Sequence, residues 1–276
     1  MRIVFVSDFS YQEIQGGAES NDLCLENMLK SNHEVIHVPT HVFNDTFSAY
    51  KDVKLYIISN FFFLSPQAEL FMSDKNYIII EHDYKFLRSR NPYDYPNFIA
   101  NSYELEHVQF YRNARWVVIQ SVFQLNIFKA NMDLTNYYCF SGNLWSEEDL
   151  DLMHEISLRP KNRKVAVLKS DAAIKGTQEA INHCMGLGRP YDLIAEPNHN
   201  KFLKLLGQYD TLVFMPKSPE TFSRICLEAR MMGLTVITND NVGVASEMVF
   251  SQFPDDIVND MRQKKLEMLT LIEKCV

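Results

Sequence analysis

Short apolar runs alternate with helix-compatible segments along the first half of the chain. The strand-like runs are RIVFVS, EVIHVP, KLYIIS, YIIIEH and RWVVIQ, and the segments between them include AESNDLCLENMLK and NSYELEHVQFYRNA. Continuous apolar strands of this length are typical of a parallel sheet that helices cover on both faces. The pattern therefore predicts a doubly wound α/β domain.

The same alternation resumes after an interruption. CFSGNLWSEEDLDLMHEISLRPKNRK contains a turn, an acidic helix candidate and a Pro/Lys/Arg-rich stretch, which predicts a linker near residues 157–163. Beyond it, strands are predicted at KVAVLKS, YDLIAE, TLVFMP and TVITND, and helices at TQEAINHCMGL, NKFLKLLGQY, TFSRICLEARMMG and the C-terminal DDIVNDMRQKKLEMLTLIEKC. We predict two tandem Rossmann-like domains, residues 1–157 and 158–276, with a ligand cleft between them.

Composition narrows the class of protein. The chain has 276 residues, of which 46% are hydrophobic and 22% charged, as expected for a packed globular protein. Its five cysteines are scattered and form no C-x-x-C pair, so we expect neither a disulfide framework nor a zinc site. No apolar run approaches the ~20 residues that span a bilayer, and the N-terminus turns polar too early for a signal peptide. We predict a cytoplasmic protein.

The net charge of −8 arises in the first part of the chain. Through Pro160 there are 21 acidic and 12 basic residues, and after it 14 acidic and 15 basic. The acidic part argues against nucleic-acid binding and leaves at most peripheral membrane contact, whereas the near-neutral part suits a phosphorylated ligand better. The chain has no Gly-x-Gly-x-x-Gly or Walker motif, which argues against a dehydrogenase or a P-loop enzyme.

The most informative segment is MPKSPETFSRICLEARMMGLTVITND. Glu220 and Glu228 stand in it eight positions apart, across a predicted strand-to-helix loop and the helix that follows. At the start of that helix, the N–H groups of Thr221, Phe222 and Ser223 would form a phosphate site. By spacing alone, the alternative is an acidic helix start and a solvent-facing glutamate.

The order Pro-Glu-x-Phe, Leu-Glu-Ala and Gly-x-x-Val-Ile in this segment resembles the signature of glycosyltransferase family 4. These are retaining enzymes of the GT-B fold, and their signature has two glutamates separated by seven residues. Weaker landmarks of the family follow in its order along nearly the whole chain: Gly16, Gly17 and Glu19, then His82, then Lys175 and Gly176, and finally NVGVASE, which ends at Glu247.

The resemblance implies a role for several of these residues. Glu228 would hold the donor ribose, Glu220 would contact the transferred sugar, and Lys175 would neutralise the departing diphosphate. His82 would also contact the transferred sugar. The alternative for His82 is a hydrogen-bonded histidine at a strand end, and its neighbours in Glu81-His82-Asp83 would tune its protonation only if they touched it.

Two further sets of residues concern the donor phosphates. Gly16 and Gly17 lack Cβ atoms, so their backbone would approach a donor phosphate or sugar closely. The family usually has an arginine five residues before its lysine, but this chain has Ser170 there, preceded by Lys169. We include both in the predicted donor site, with Lys169 as the replacement cation, although lysine lacks the bidentate fork of arginine.

A metal site is not expected. Asp149-Leu150-Asp151 matches the Asp-x-Asp pattern of metal-dependent glycosyltransferases of another fold, but it lies among acidic residues that favour a helix start. The predicted function is therefore metal-independent, retaining transfer of a sugar from a nucleotide diphosphate-sugar to a hydroxyl acceptor, of glycan or glycolipid type, without a cofactor. The alternatives are a catalytically silent GT-B protein that binds a nucleotide-sugar or a partner glycosyltransferase, and a nucleotide-sugar epimerase.

Overall fold

The computed structural model describes residues 1–275, which divide into two compact units. The first unit comprises Met1–Gln120, Leu125–Phe140 and the chain from Lys264 onward, and the second comprises Ser121–Gln124 and Ser141–Gln263. The predicted boundary at residue 157 lies too late. The helix Glu147–Ser157 belongs to the second unit, because its buried residues Leu150, Met153 and Ile156 lie in the hydrophobic core of that unit.

The first unit is built on a six-stranded parallel sheet in the order β2-β1-β3-β4-β5-β6. Its strands are β1 (Arg2–Ser7), β2 (Glu34–Pro39), β3 (Leu55–Ser59), β4 (Tyr77–Ile80), β5 (Trp116–Ile119) and β6 (Tyr137–Cys139). The helices are α1 (Gly17–Lys30), α2 (Thr40–Thr46), α3 (Pro66–Met72), α4 (Val108–Asn113) and α5 (Val122–Asn131). The central strands β3 and β4 are buried at every position, as their continuous apolar sequences predict.

Two features of this unit differ from the prediction. The short strand β6 was not predicted, since three residues give no readable period. The segment NSYELEHVQFYRNA is not one helix, but a 3₁₀ turn at Ser102–Glu104 followed by α4. His107, immediately before α4, has a left-handed φ of 56°, which an α-helix does not accommodate.

The second unit has a four-stranded parallel sheet in the order β10-β9-β7-β8. Its strands are β7 (Val165–Leu168), β8 (Tyr191–Ile194), β9 (Thr211–Phe214) and β10 (Thr235–Thr238). Its helices are α6 (Glu147–Ser157), α7 (Thr177–Gly186), α8 (His199–Leu206), α9 (Arg224–Met231) and the first part of α10 (Pro254–Glu273). Two parallel sheets with interspersed helices confirm the predicted α/β class.

Each sheet presents its strand-to-helix loops at the carboxyl edge, where ligands bind in folds of this kind. In the second unit, the loops after β7 and β9 carry Lys175 and Glu220. In the first unit, the loops after β1 and β4 carry Gly16 and His82. Over residues 1–275, no helix is both long enough and apolar enough to cross a membrane.

Candidate functional site

The loop after β7 holds Lys175 against the end of β9. Gly176 adopts a left-handed φ of 67°, and a Cβ built on it would lie 1.7 Å from the carbonyl oxygen of Met215. The backbone N–H of Lys217 donates to the carbonyl of Ile174 at 2.8 Å. The Lys-Gly pair therefore has a local structural reason, since only glycine permits this approach of the two loops.

The loop after β9 carries Glu220 and is braced by the segment after β10. The N–H of Glu220 donates to Asn241 O at 2.7 Å, and the N–H of Gly243 donates to Glu220 O at 3.0 Å. The carboxylate of Glu220 points at Lys175, with 2.8 Å between Oε1 and Nζ. The Glu220 side chain is 18% exposed and that of Lys175 is 38% exposed. The fold thus joins two of the predicted catalytic residues in a solvent-accessible ion pair.

The helix that follows begins later than predicted. Ser223 has φ 75° and ψ 86°, so α9 starts at Arg224 rather than at Thr221. The side chain of Phe222 is fully buried in the core, and its carbonyl accepts from the N–H of Val244 at 2.9 Å. The prediction that residues 221–223 form the helix start is therefore wrong, because Ser223 turns the chain in a conformation that a helix excludes.

Glu228 is buried on α9, and three polar side chains contact its Oε1. Trp145 Nε1 donates to that oxygen at 2.9 Å, His199 Nε2 lies 3.0 Å from it, and Arg224 Nε lies 3.6 Å from it. Burial alone would raise the pKa of Glu228, but the charge and hydrogen bond of His199, with the charge of Arg224, lower it to about 2. The carboxylate is therefore ionised at neutral pH, and the alternative of a solvent-facing glutamate is wrong.

The same cluster perturbs His199. Burial lowers the pKa of His199, but the attraction of Glu228 and its hydrogen bond outweigh burial and raise that pKa. The guanidinium of Arg224 also lies over the Trp145 ring, 4.3 Å from its centroid. The result is a cluster in which one buried, ionised glutamate is held by a guanidinium, an imidazole and an indole.

Three members of this cluster were not predicted from the sequence. Arg224 precedes Glu228 by four residues, a helical spacing at which opposite charges meet, so their contact could have been predicted from the sequence. His199 is the first residue of α8, in a position after a predicted strand that only weakly indicates a place in the site. Trp145 had none, because its contact with Glu228 joins residues 83 positions apart in the chain.

Lys169 and Ser170 lie at the end of β7. Lys169 is exposed, and its N–H donates to Ile194 O at 2.9 Å. The N–H of Ser170 donates to Thr177 Oγ1 at 3.1 Å, and Ser170 Oγ accepts from the N–H of Ala172 at 3.2 Å. Ser170 thus stabilises its own loop and supplies no positive charge, so replacement of the family arginine by Lys169 stays a prediction.

In the first unit, both ring nitrogens of His82 have protein partners. Asp22 Oδ1 lies 2.8 Å from Nε2, and Gln120 Nε2 lies 2.6 Å from Nδ1. With the Gln120 amide donating, Nδ1 accepts and Nε2 carries the proton toward Asp22. Ser59 Oγ donates to the other oxygen of Asp22 at 2.7 Å. The geometry is that of a hydrogen-bonded histidine at a strand end, so its predicted contact with a sugar would need rearrangement of this chain of bonds.

The acidic neighbours of His82 are engaged elsewhere. The ammonium of Lys85 lies 2.7 Å from Glu81 Oε1 and 2.8 Å from Asp83 Oδ1, and the hydroxyl of Tyr111 donates to Glu81 Oε2. Burial raises the pKa of Glu81 despite the charge of Lys85. Burial acts the same way on Asp83, but the cations Lys85 and Arg90 outweigh it and lower its pKa. These contacts form a separate buried ion-pair network.

The two glycines of the first unit stand at the start of α1. Gly16 is the N-cap residue with an extended φ of −96°, and Gly17 opens the helix. A Cβ on Gly16 would lie 2.3 Å from Glu19 Oε2, so this carboxylate fills the space beside Gly16. Burial raises the pKa of Glu19, and the nearby charge of Asp22 adds to that increase. A carboxylate in this place disfavours a phosphate beside Gly16.

Asp149 and Asp151 lie in the first turns of α6. The N–H of Asp149 donates to the N-cap Ser146 Oγ at 3.0 Å, and the Asp149 carboxylate lies 3.9 Å from His199. Asp151 instead pairs with Arg262. Within the described residues, no group of three or more His, Cys, Asp or Glu side chains is arranged to hold a metal ion. The two carboxylates thus face different partners, and independence from metal stays a prediction.

Solved structures of glycosyltransferases share the fold of this chain. HepE of Anabaena, in complex with UDP and glucose, matches with 13% identity and a TM-score of 0.58, over 95% of this chain and 89% of that one. Sucrose-phosphate synthase of Thermosynechococcus elongatus matches with 11% identity and a TM-score of 0.56, over 95% and 89%. A UDP-forming α,α-trehalose-phosphate synthase of Burkholderia vietnamiensis matches with 9% identity and a TM-score of 0.54, over 97% and 92%.

The class of architecture follows from these matches: the chain has the GT-B fold, with two Rossmann-like units. No family model and no curated protein sequence matches the chain. Because the solved structures are no more than 13% identical, they establish the fold and not the activity. Membership of glycosyltransferase family 4 stays a prediction from the motif around Glu220 and Glu228.

Proposed function

We propose that the protein is a retaining, metal-independent glycosyltransferase that moves a sugar from a nucleotide diphosphate-sugar to a hydroxyl of a glycan or glycolipid acceptor. One observation carries the proposal. Lys175 and Glu220 form an accessible ion pair in the loops that precede α7 and α9, and α9 itself bears the buried, ionised Glu228. The cation would meet the diphosphate of a nucleotide diphosphate-sugar, the accessible carboxylate its sugar and the fixed anion its ribose.

Glu228 would hold the ribose. An ionised carboxylate accepts hydrogen bonds at both oxygens, and the three contacts described above all fall on Oε1. Oε2 would accept from a ribose hydroxyl, in a bond strengthened by the charge. Because the pKa of Glu228 is lowered to about 2, this acceptor would be ionised near neutral pH.

Lys175 would stabilise the departing diphosphate. Its ammonium has three N–H donors, and the pairing with Glu220 Oε1 at 2.8 Å occupies one of them. A second would donate to a phosphate oxygen as negative charge develops there, while Glu220 accepts from a hydroxyl of the transferred sugar. In the ligand-free state, the ion pair would hold the two side chains close to the positions at which they meet the donor.

The transfer itself would need no nucleophile from the protein. The bond between the anomeric carbon and the diphosphate oxygen breaks, and the acceptor oxygen bonds to that carbon on the same face. The acceptor proton passes to the departing phosphate oxygen, so charge and atoms balance and the anomeric configuration is retained. The protein contributes positioning and electrostatic stabilisation.

The solved structures suggest which donor to test first. HepE of Anabaena has been solved with UDP and with UDP-glucose, and the trehalose-phosphate synthase is UDP-forming. UDP-glucose is therefore the first donor for this chain, followed by other UDP-, GDP- and ADP-sugars.

A catalytically silent GT-B protein is the second candidate, and specific observations favour it. Ser170 stands where the family has an arginine and contributes no charge, and both nitrogens of His82 are already bonded within the protein. Such a protein would bind a nucleotide-sugar through Glu228 and Lys175 without turning it over.

The deciding experiment follows release of nucleoside diphosphate from a panel of nucleotide-sugars, with and without glycan and glycolipid acceptors. The parent is compared with Lys175→Gln and with the control Lys164→Gln. Lys164 lies just before β7 and pairs with Asp192. We expect acceptor-dependent release that survives chelator, is lost in Lys175→Gln and is kept in Lys164→Gln. Loss of activity with chelator would contradict the metal-free mechanism. Donor binding without turnover would favour the silent protein, and donor conversion without acceptor would favour an epimerase.

A further inference from the structure

The first unit contains a cavity that the proposed donor chemistry does not use. Its volume is about 290 Å³, and it lies beside the loop after β1, one face of α1 and the end of β2. Carboxylates line one side, from Glu19, Asp22 and Glu26 on α1. These residues follow one another at helical spacing, so a single face of α1 forms this wall.

The three carboxylates differ in whether a cation compensates them. Glu26 has two basic partners, Lys30 Nζ at 3.1 Å and His37 Nδ1 at 2.6 Å. Asp22 accepts instead from the hydroxyl of Ser59 and from His82.

Glu19 is the least compensated of the three. It is 7% exposed, and the partner of its Oε1 is the neutral amide of Asn60 at 2.9 Å. Within residues 1–275, no lysine or arginine lies within ion-pair distance of Glu19 or Asp22. Lys30 and His37 also line the cavity, but both pair with Glu26. Glu19 and Asp22 are largely buried at its border and have no lysine or arginine partner among the described residues, which is a costly arrangement until a positive group joins them.

The loop after β1 lines the same cavity with aromatic and polar side chains. Phe9 is 37% exposed and packs edge-on against Phe63, which is 55% exposed, with 6.2 Å between the ring centroids. Ser10, Tyr11 and Gln12 add hydroxyl and amide groups along the same loop. An exposed aromatic face beside several hydrogen-bonding groups suits the C–H face and the hydroxyls of a sugar ring.

We propose that this cavity binds an amine-bearing sugar, with the ammonium group against Glu19 and Asp22 and the ring against Phe9. The inference deepens the proposed function, on which it rests, since the amino sugar would be the acceptor or the part of it that the enzyme recognises. Sugars with a phosphate or carboxylate would bind more weakly there, because they would bring a further negative charge beside Glu19 and Asp22, which have no lysine or arginine partner in the part of the chain that the structure describes.

The test uses three monosaccharides with the full-length protein and no nucleotide: D-glucosamine, D-glucose and D-glucuronate. Ligand-observed NMR titration at about pH 7, where an amine is still largely protonated, gives their relative affinities. We expect glucosamine to bind at least about tenfold more tightly than glucose, and glucuronate more weakly still. Equal affinity for the three sugars, or preference for glucuronate, would overturn the proposal.

The variant Glu19→Gln removes the charge while keeping the shape and an acceptor for Asn60. It should abolish the preference for glucosamine over glucose. The matched control Glu34→Gln removes an exposed carboxylate that pairs with Arg2 outside the cavity, and it should leave the preference intact. An unchanged preference in Glu19→Gln would also contradict the site.

A parallel titration with UDP-glucose separates this inference from the proposed function. Donor binding without glucosamine binding would refute only the proposed amino-sugar site. Glucosamine binding without binding of any nucleotide-sugar would refute the glycosyltransferase and leave a sugar-binding cavity.

Discussion

Replacing Glu228 by glutamine should destabilise the second unit by about 3 kcal/mol near pH 6. The magnitude follows from the pKa, which falls from 4.5 to about 2 because His199 and Arg224 favour the ionised carboxylate against the opposing effect of burial. Each pKa unit corresponds to about 1.4 kcal/mol between the two protonation states. Glutamine has the shape of the protonated acid, so Glu228→Gln should lose most of that difference.

The sign of the pH dependence follows from the direction of the shift. Since the folded pKa of Glu228 is depressed, its stabilisation is present above about pH 4.5 and is lost as the pH falls toward 2. The pKa of His199 is raised, so its part is present below about pH 6.5 and is lost as the pH rises through the folded pKa. Both shifts describe one ion pair, so they count once. The difference in the free energy of unfolding between parent and variant should therefore be largest between about pH 4.5 and pH 6.5 and smaller outside that range.

Urea unfolding followed by tryptophan fluorescence measures the effect. The chain has two tryptophans, and a Trp116→Phe background leaves Trp145, which donates to Glu228, as the reporter. Glu220→Gln is the control, because its ion pair with the 38% exposed Lys175 should contribute no more than about 1 kcal/mol. A Glu228→Gln variant as stable as its parent, with the same pH dependence, would refute the account of this cluster.

Three further variants test how the site is held. Ser223→Gly should stabilise the protein by about 1 kcal/mol in thermal unfolding, because φ is 75° at this position; a lower melting temperature would argue against strain there. Gly176→Ala should cost at least about 2 kcal/mol in the same assay, since its Cβ would meet the Met215 carbonyl at 1.7 Å, and a neutral effect would contradict that packing. His199→Gln should move the pKa of Glu228 up from about 2 in a carboxyl NMR titration, and an unmoved pKa would exclude His199 as its main partner.

The strands were predictable because their signal is local. Runs such as RIVFVS and TLVFMP are buried at almost every position, so continuous hydrophobicity identified β1 and β9 directly. Errors arose where a single residue leaves the helical region, at His107 before α4 and at Ser223 before α9. Neither histidine nor serine indicates a left-handed conformation as strongly as glycine does, so the sequence did not predict these two turns.

The sequence motif predicted some residues of the candidate site, but not the contacts that depend on how distant segments pack. Spacing pointed to Glu220 and Glu228, and the structure adds that Glu228 is buried in contact with Trp145 and His199. The engagement of His82 depends on Gln120, which lies at the end of another strand. Such contacts depend on three-dimensional packing, which a linear pattern does not encode.

The central claim is that α9 carries a nucleotide-sugar site anchored by Glu228. Calorimetric titration of UDP-glucose into the parent and into Glu228→Ala tests it most directly, with near-UV circular dichroism to verify folding. Glu155→Ala, which removes an exposed glutamate of α6, is the matched control. We predict affinity about 10- to 100-fold weaker in Glu228→Ala and unchanged in Glu155→Ala, since hydrogen bonds to a charged group contribute about 1–3 kcal/mol. Binding to the parent with equal affinity in Glu228→Ala would contradict the claim.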